Sequence, residues 1–213
     1  MASATSARRS ILIACMVLLI AATLVPGQAA AAPLDDAANL PGLGNFAAAV
    51  ENGEAGTLRG VYAEDVFALP IIQQPANDAG FVSRDETVLT EFRLAADYGN
   101  VGVLAHNDLG GQYFAQLAPG QRVQLIYGDG RIEYFRVTHS DRYQATSPSS
   151  MYSDFIDLDT QEYLTAGELF AKVYMGPRHI TFQTCVSNAG NLSWGRLFVF
   201  AEPEVLYTPL RAE

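Results

Sequence analysis

The chain is poor in cysteine: of its 213 residues only Cys15 and Cys185 carry a thiol. Cys15 falls inside an apolar N-terminal stretch with the features of an export leader. Exported proteins usually pair their cysteines, but a chain that sheds this leader has one thiol left and no internal disulfide. Cys185 is then either a buried bystander or a reactive group. Positive charge is also scarce, with 13 Lys and Arg against 23 Asp and Glu and a formal net charge of -10. Removing a leader that holds Arg8 and Arg9 makes the balance two units more negative. Such a chain lacks the basic footprint that nucleic acid requires and has no electrostatic reason to adhere to anionic lipid; its acidity serves solubility. There are three histidines and one tryptophan, and no internal repeat or low-complexity bulk.

The apolar run from Ile11 to Val25 is too short for a firm membrane span. It follows a charged pair, Arg8-Arg9, and is broken by Pro26-Gly27. Ala29 and Ala31 satisfy the small-x-small rule for cleavage after Ala31. The expected organisation is a signal peptide (or uncleaved anchor) over 1–31, a linker over 32–57 with one short helix from Asn45 to Val50, and a folded domain over 58–213.

Within the domain, Leu58–Tyr62 and Val66–Ile72 read as short strands, and Thr87–Ala96 as a helical turn with Leu89, Phe92 and Ala96 on one side. Val101–Ala105 reads as a strand ending at His106. Val123–Tyr127 and Ile132–Val137 flank Gly128-Asp129-Gly130, a hairpin signal because glycines supply the positive φ of a tight turn. Ser140–Gln161 reads as a long polar connection. Thr165-Ala166-Gly167-Glu168 is a capping box opening a helix through Tyr174. His179–Cys185 is an alternating strand that stops at the thiol, Val186–Trp194 a loop, and Arg196–Phe200 the last strand. Many short strands with few helices predict an all-β sandwich or barrel.

A cysteine nucleophile needs a proton partner and a donor for the oxyanion formed at an attacked carbonyl. His179 shares a strand with Cys185, and six extended residues separate them by about 20 Å, so it is not the partner. His139 lies past a hairpin strand in polar surroundings. His106 ends its own strand, and a barrel brings that end beside Cys185. Arg196 opens the strand after the loop that follows Cys185. If the two strands are antiparallel neighbours it faces the thiol, and its guanidinium stays charged at any working pH.

Val103-Leu104-Ala105-His106-Asn107, Tyr113 to Gln121, Ile180-Thr181-Phe182-Gln183-Thr184-Cys185 and Arg196-Leu197-Phe198-Val199-Phe200 resemble the signature segments of sortases, the extracytoplasmic cysteine transpeptidases of bacteria. The resemblance runs from about Leu58 to Pro203 and keeps the order His, Cys, Arg. It implies a closed eight-stranded β-barrel, with Cys185 as nucleophile, His106 as general acid/base and Arg196 as oxyanion and substrate holder. It further implies cleavage of an LPxTG-like C-terminal sorting motif through a thioester, and transfer of the acyl part to an amine or to water. The implied partners are secreted proteins bearing that motif and a cell-wall or pilin amine, at the cell envelope. Ala105, Thr184, Ser187, Asn188 and Trp194 are the expected substrate contacts. The sequence departs from the family pattern in two ways: Ala105 stands where glycine commonly precedes the histidine, which would crowd the groove, and the long stretch between His106 and Cys185 implies an enlarged loop, Ser140–Gly176, as a substrate wall. Loop lengths lean toward classes D, E or F.

No cofactor is expected. The acidic group Asp154, Asp157, Asp159 and Glu162 lacks EF-hand spacing and reads as a solvated loop, with calcium as the alternative. Rival readings are a non-catalytic sortase-like binding module and a surface protein with an inert thiol. The residues after Cys185, Val186-Ser187, do not fit an L,D-transpeptidase motif, and a cysteine on a strand does not fit a papain-like fold.

Overall fold

Among the described residues ten strands form one sheet, and eight of them close on themselves. The computed structural model describes residues 40–150 and 152–204; the expected leader and its cleavage point lie outside the described residues. The strands are β1 (Leu58–Ala63), β2 (Phe67–Gln73), β3 (Leu89–Phe92), β4 (Val101–Leu104), β5 (Arg122–Tyr127), β6 (Ile132–Ala145), β7 (Phe155–Asp157), β8 (Tyr163–Leu164), β9 (Ile180–Asn188) and β10 (Asn191–Pro203). The order is β10-β9-β4-β3-β2-β1-β5-β6, and β10 also pairs with β6, so the ring closes as the expected eight-stranded barrel; β7 and β8 extend from β6. Closure removes the free edges that an open sheet of this length would expose.

The pleat divides the work. Side chains alternate across a strand, so Val101, Val103 and Ala105, then Ile180 and Phe182, then Leu197, Val199 and Ala201 fill the barrel interior together with Phe67, Phe114 and Phe135. Phe182 packs on Phe67 and Phe114 at centroid separations of 6.4 and 5.2 Å. Burying one such ring contributes roughly 1.5–3 kcal/mol. The alternate residues Gly102 and Leu104, Thr181, Gln183 and Cys185, and Arg196, Phe198 and Phe200 therefore face outward. Outside this wall lies a second apolar cluster, built from Tyr143, Phe155, Leu169, Val173, Tyr174, Phe198 and Phe200.

Helix α3 (Ala166–Tyr174) lies over this outer face. Its capping box is present as the sequence predicts: Glu168 N–H donates to Thr165 Oγ1, and Thr165 N–H donates to the Glu168 carboxylate. Those bonds hold Glu168 below the ordinary carboxylate range. At the other end the orphan carbonyls of the last turn find donors on the barrel. Thr181 Oγ1 donates to Val173 O at 2.5 Å, His179 Nε2 lies 3.0 Å from the same oxygen, and Asn100 Nδ2 donates to Tyr174 O at 2.9 Å. His179 thus closes a helix at the end of β9 remote from the thiol.

Several boundaries differ from expectation. The short helix expected at Asn45–Val50 is present as α1 (Leu43–Val50), but it starts two residues earlier and does not lie in a free tether, since its Phe46 is buried against Ala68 and Ile126 of the barrel. Thr87–Ala96 is a strand followed by the short α2 (Arg93–Ala96), because Leu89 and Thr90 join a parallel ladder with β2; apolar residues three and seven apart fit a helix as well. The polar stretch from Ser140 does not leave the sheet. β6 runs on to Ala145 because β10 pairs with it as far as Gln144. Cys185 does not end its strand either. β9 and β10 form one long hairpin turning at Ala189-Gly190, both at positive φ, as a tight two-residue turn requires. Alanine is an unusual first residue there, which hides the turn in the sequence.

Candidate active site

Cys185 sits on the outer face of β9, half-exposed and free. On one side the antiparallel register sets Arg196 directly across from it, with Gln183 across from Phe198 one step further along the same face. On the other side β4 runs parallel to β9, and Leu104 pairs with Gln183. The chain then continues two residues to His106, whose neighbour Ala105 still donates its N–H to Gln183 O at 3.3 Å. One strand spacing is about 5 Å, so the thiol stands between an imidazole and a guanidinium on adjacent chain segments. All three line one cleft of about 360 Å³, whose walls include Phe155, Leu169, Phe170, Val173 and Tyr174. The stretch 140–176 thus supplies one wall of the cleft, and Gln74, Ala79, Gly80, Val82 and Phe92 also line it. A second depression of about 440 Å³, around Glu64, Arg122 and Arg136, holds no nucleophile, and both of its arginines pair with Glu204.

Arg196 is oriented from its own strand. Nη1 donates to Ser193 O at 3.0 Å and Gly195 O at 2.9 Å, and Cζ lies 6.0 Å from the Phe155 ring centroid. Among the described residues it makes no ion pair, so its remaining N–H groups are free for a ligand. Gly195 is required beside it, since a Cβ there would stand 2.5 Å from Tyr143 O.

His106 is carried on a platform that sequence reasoning missed. Its carbonyl accepts from Leu109 N–H at 3.0 Å and Gly111 N–H at 2.9 Å, at the start of a 3₁₀ helix over Gly110–Gln116. Beneath, Thr184 Oγ1 donates to Ala105 O at 2.9 Å. A Cβ on Gly111 would collide with Thr184 Oγ1 and stand 2.6 Å from His106 O and 2.9 Å from Ala105 O. In the sequence Tyr113–Leu117 reads as a short helix or turn, which the 3₁₀ helix matches; the contact with His106 is signalled only by the Gly110-Gly111 pair four residues past the histidine. Gly111→Ala is expected to destabilise by about 1–3 kcal/mol, roughly 2–10 °C in thermal melting, and to lower the reactivity of Cys185. Gly167→Ala, on α3 with no atom within 4 Å of a Cβ, is the control expected to leave melting unchanged or slightly raised.

The remaining candidates divide between the floor of the cleft and the surface beyond it. Ala105 and Thr184 border the cleft but are buried at 8% and 5% exposure; they brace the site from beneath. Ala105 packs into the barrel interior, so its methyl does not crowd the groove as expected. Ser187 and Asn188 are exposed near the hairpin tip, and Trp194 is half-buried on β10; none of the three lines the cleft. Asn107 Nδ2 ties the His106 segment to that hairpin through Leu192 O at 3.2 Å. His139 stacks on Phe200 at 4.4 Å, away from the thiol. Two of the four acidic residues commit their carboxylates to local bonds. Asp157 accepts from Asp159 and Thr160 N–H and from Lys172, which hold it below the ordinary carboxylate range against the opposing effect of burial. Asp154 accepts from Tyr163 Oη and Ala166 N–H. Among the described residues no three His, Cys, Asp or Glu side chains group as a metal site.

Comparison with known proteins adds a likeness of fold. No family model and no curated protein matches the chain. Among solved structures, sortase C-1 from Actinomyces oris overlays with a TM-score of 0.48 at 12% identity, covering 83% of this chain and 90% of that one. Sortase A from Listeria monocytogenes overlays at 0.44 and 13%, covering 70% and 88%. Sortase C from Clostridium perfringens, solved with the C-terminal cell wall sorting motif, overlays at 0.44 and 14%, covering 74% of each. At such values any inference about chemistry rests on this chain's own residues. By fold, the chain is similar to sortases of more than one class.

Proposed function

We propose that the protein is a cysteine transpeptidase of the sortase kind, acting outside the cytoplasm. One observation carries the reading: the lone thiol of the domain is flanked on the two neighbouring chain segments by His106 and Arg196, and the three line a single cleft. An inert structural cysteine needs neither neighbour, and a binding module needs no nucleophile in its groove.

The chemistry follows from those groups. The Cys185 thiolate attacks the carbonyl carbon of the scissile amide, forming the S–C bond. The free N–H groups of Arg196 bond the oxygen that gains negative charge. As the C–N bond breaks, the His106 imidazolium gives its proton to the leaving amine, leaving a thioester and neutral imidazole. An incoming amine then attacks the thioester and passes its proton to His106 as the C–S bond breaks, which restores thiolate and imidazolium. Water in place of the amine gives hydrolysis. The cleft wall is largely apolar, formed by Phe155, Leu169, Phe170 and Val173, and suits an extended peptide with a large apolar side chain near the scissile bond. An LPxTG-like sorting motif has that character, with a cell-wall or pilin amine as the acceptor.

The test is direct. Incubated with LPxTG-type peptides, the protein is expected to gain the mass of the acyl fragment on Cys185, and the adduct to discharge onto an added amine such as triglycine. A panel of such peptides that leaves the protein unmodified and uncut overturns the reading.

A further inference from the structure

The outward face of β9 carries one polar side chain between the thiol and the apolar cluster. Gln183 lies two residues before Cys185 on the same face, roughly 7 Å away along the strand. Its neighbours across the sheet are apolar, Leu104 on β4 and Phe198 on β10. An amide in such surroundings is costly unless both of its ends find partners. One end has a fixed partner: the Tyr174 phenol of α3 bonds the Gln183 side-chain oxygen at 2.5 Å.

The phenol settles which way the amide points. Tyr174 is 3% exposed, and Gln183 is the single partner of its hydroxyl among the described residues. Burial pushes its ionisation upward, so the group stays O–H and must donate. The side-chain oxygen of Gln183 therefore turns toward Tyr174, and the NH₂ turns away from it. Gln183 is half-exposed and lines the cleft, and its NH₂ has no acceptor among the described residues. A buried phenol thus aims an unused donor into a largely apolar groove beside the nucleophile.

We propose that Gln183 is a substrate-positioning donor: its side-chain NH₂ bonds a carbonyl oxygen of the bound peptide two to three residues before the scissile bond. This rests on the transpeptidase reading for the location of that bond. At about 3.4 Å per extended residue, a peptide whose scissile carbonyl meets Cys185 brings that segment over Gln183. The acceptor is a main-chain carbonyl or a side-chain amide or carboxylate; the chemistry is the same.

Two variants separate this role from mere support of Tyr174. Gln183→Glu keeps the acceptor for the phenol and the side-chain size, but replaces the donor with a second acceptor. Gln183→Met removes both. If Gln183 only supports Tyr174, the Glu variant behaves as wild type and the Met variant alone is impaired. For a substrate donor both lose, the Glu variant at least as much because two oxygens then face each other. The probes are Leu-Pro-Glu-Thr-Gly, Leu-Leu-Glu-Thr-Gly and Leu-Gln-Glu-Thr-Gly peptides. For each variant, acylation of Cys185 is followed by mass, and binding to the corresponding Cys185→Ala protein by calorimetry. About tenfold weaker binding is expected in both variants, appearing in KM more than in kcat, with melting temperature recorded for each protein. An equal loss for all three peptides identifies an acceptor they share, a main-chain carbonyl or the common glutamate carboxylate, and a loss confined to the glutamine peptide identifies its side-chain amide. A Glu variant that binds every peptide as wild type does overturns the proposal while leaving the transpeptidase reading intact. Binding that discriminates without any acylation sustains the donor and overturns the transpeptidase reading. Absence of binding by all three peptides removes both.

Discussion

Cys185→Ala is expected to lose peptide cleavage and amine transfer completely, with no covalent adduct at any time. The removed sulfur is half-exposed on the outer face of β9, so the fold should lose less than about 1 kcal/mol and melt close to wild type. That combination, an intact barrel with no turnover, separates a nucleophile from a packing residue. Cys185→Ser sharpens the test. The hydroxyl occupies nearly the same space but is a far weaker nucleophile without a strong base, so it too should fall below detection. Mass measurement of the protein after incubation with an LPxTG-type peptide checks both variants. Retained activity in Cys185→Ala would end the assignment of the thiol.

Arg196→Lys is expected to lower kcat on the order of a hundredfold while changing KM much less. Arg196 spends Nη1 on two carbonyls of its own strand, Ser193 O and Gly195 O, and keeps its other N–H groups free. A lysine ammonium carries the same charge but is a point donor on a flexible stem. It cannot bond its own backbone and the developing oxyanion in one fixed geometry. Loss of a single oxyanion donor typically costs about 10²–10³ in kcat, and Arg196→Ala should lie at the upper end of that range. Steady-state kinetics with a fluorogenic peptide gives the split. A lysine variant as fast as wild type would show that bulk positive charge suffices and that the fork has no special part.

Much of this site is legible in the sequence because its residues lie on regular strands. Alternation over Ile180–Cys185 and over Arg196–Phe200 tells which residues share a face, and the antiparallel return puts Arg196 opposite Cys185. The capping box before α3 is equally plain, since both halves are local. Long-range pairing is what hides the rest. The polar segment from Ser140 to Ala145 has no strand signature of its own and is ordered because β10 pairs with it. Thr184 reads as a groove residue from its place beside the thiol, yet it is turned inward, with its hydroxyl spent on Ala105 O. The Gly111 platform and the Tyr174–Gln183 bond join residues that belong to different elements, and no spacing rule announces them. Ser187 and Asn188, near the hairpin tip, do not line the cleft; much of its wall comes from α3 and β7, and the position of α3 over the barrel depends on how Thr181, His179 and Asn100 receive the end of the helix.

Placing the reacting groups on the outer wall has a consequence for how such a protein can change. Along β9, Phe182 fills the cylinder while Gln183 and Cys185 face the cleft, so core packing and cleft lining occupy alternate positions of one strand. A new peptide preference can therefore arise by exchanging outward residues, or by resetting the helix that overhangs them, without reopening the interior. Drift inside the cylinder is constrained by packing of the interior, and drift on the outer wall by packing of the second apolar cluster and by the shape of the cleft. The few residues that tie the two layers together, Thr184 and Gly111 first among them, answer to both layers at once.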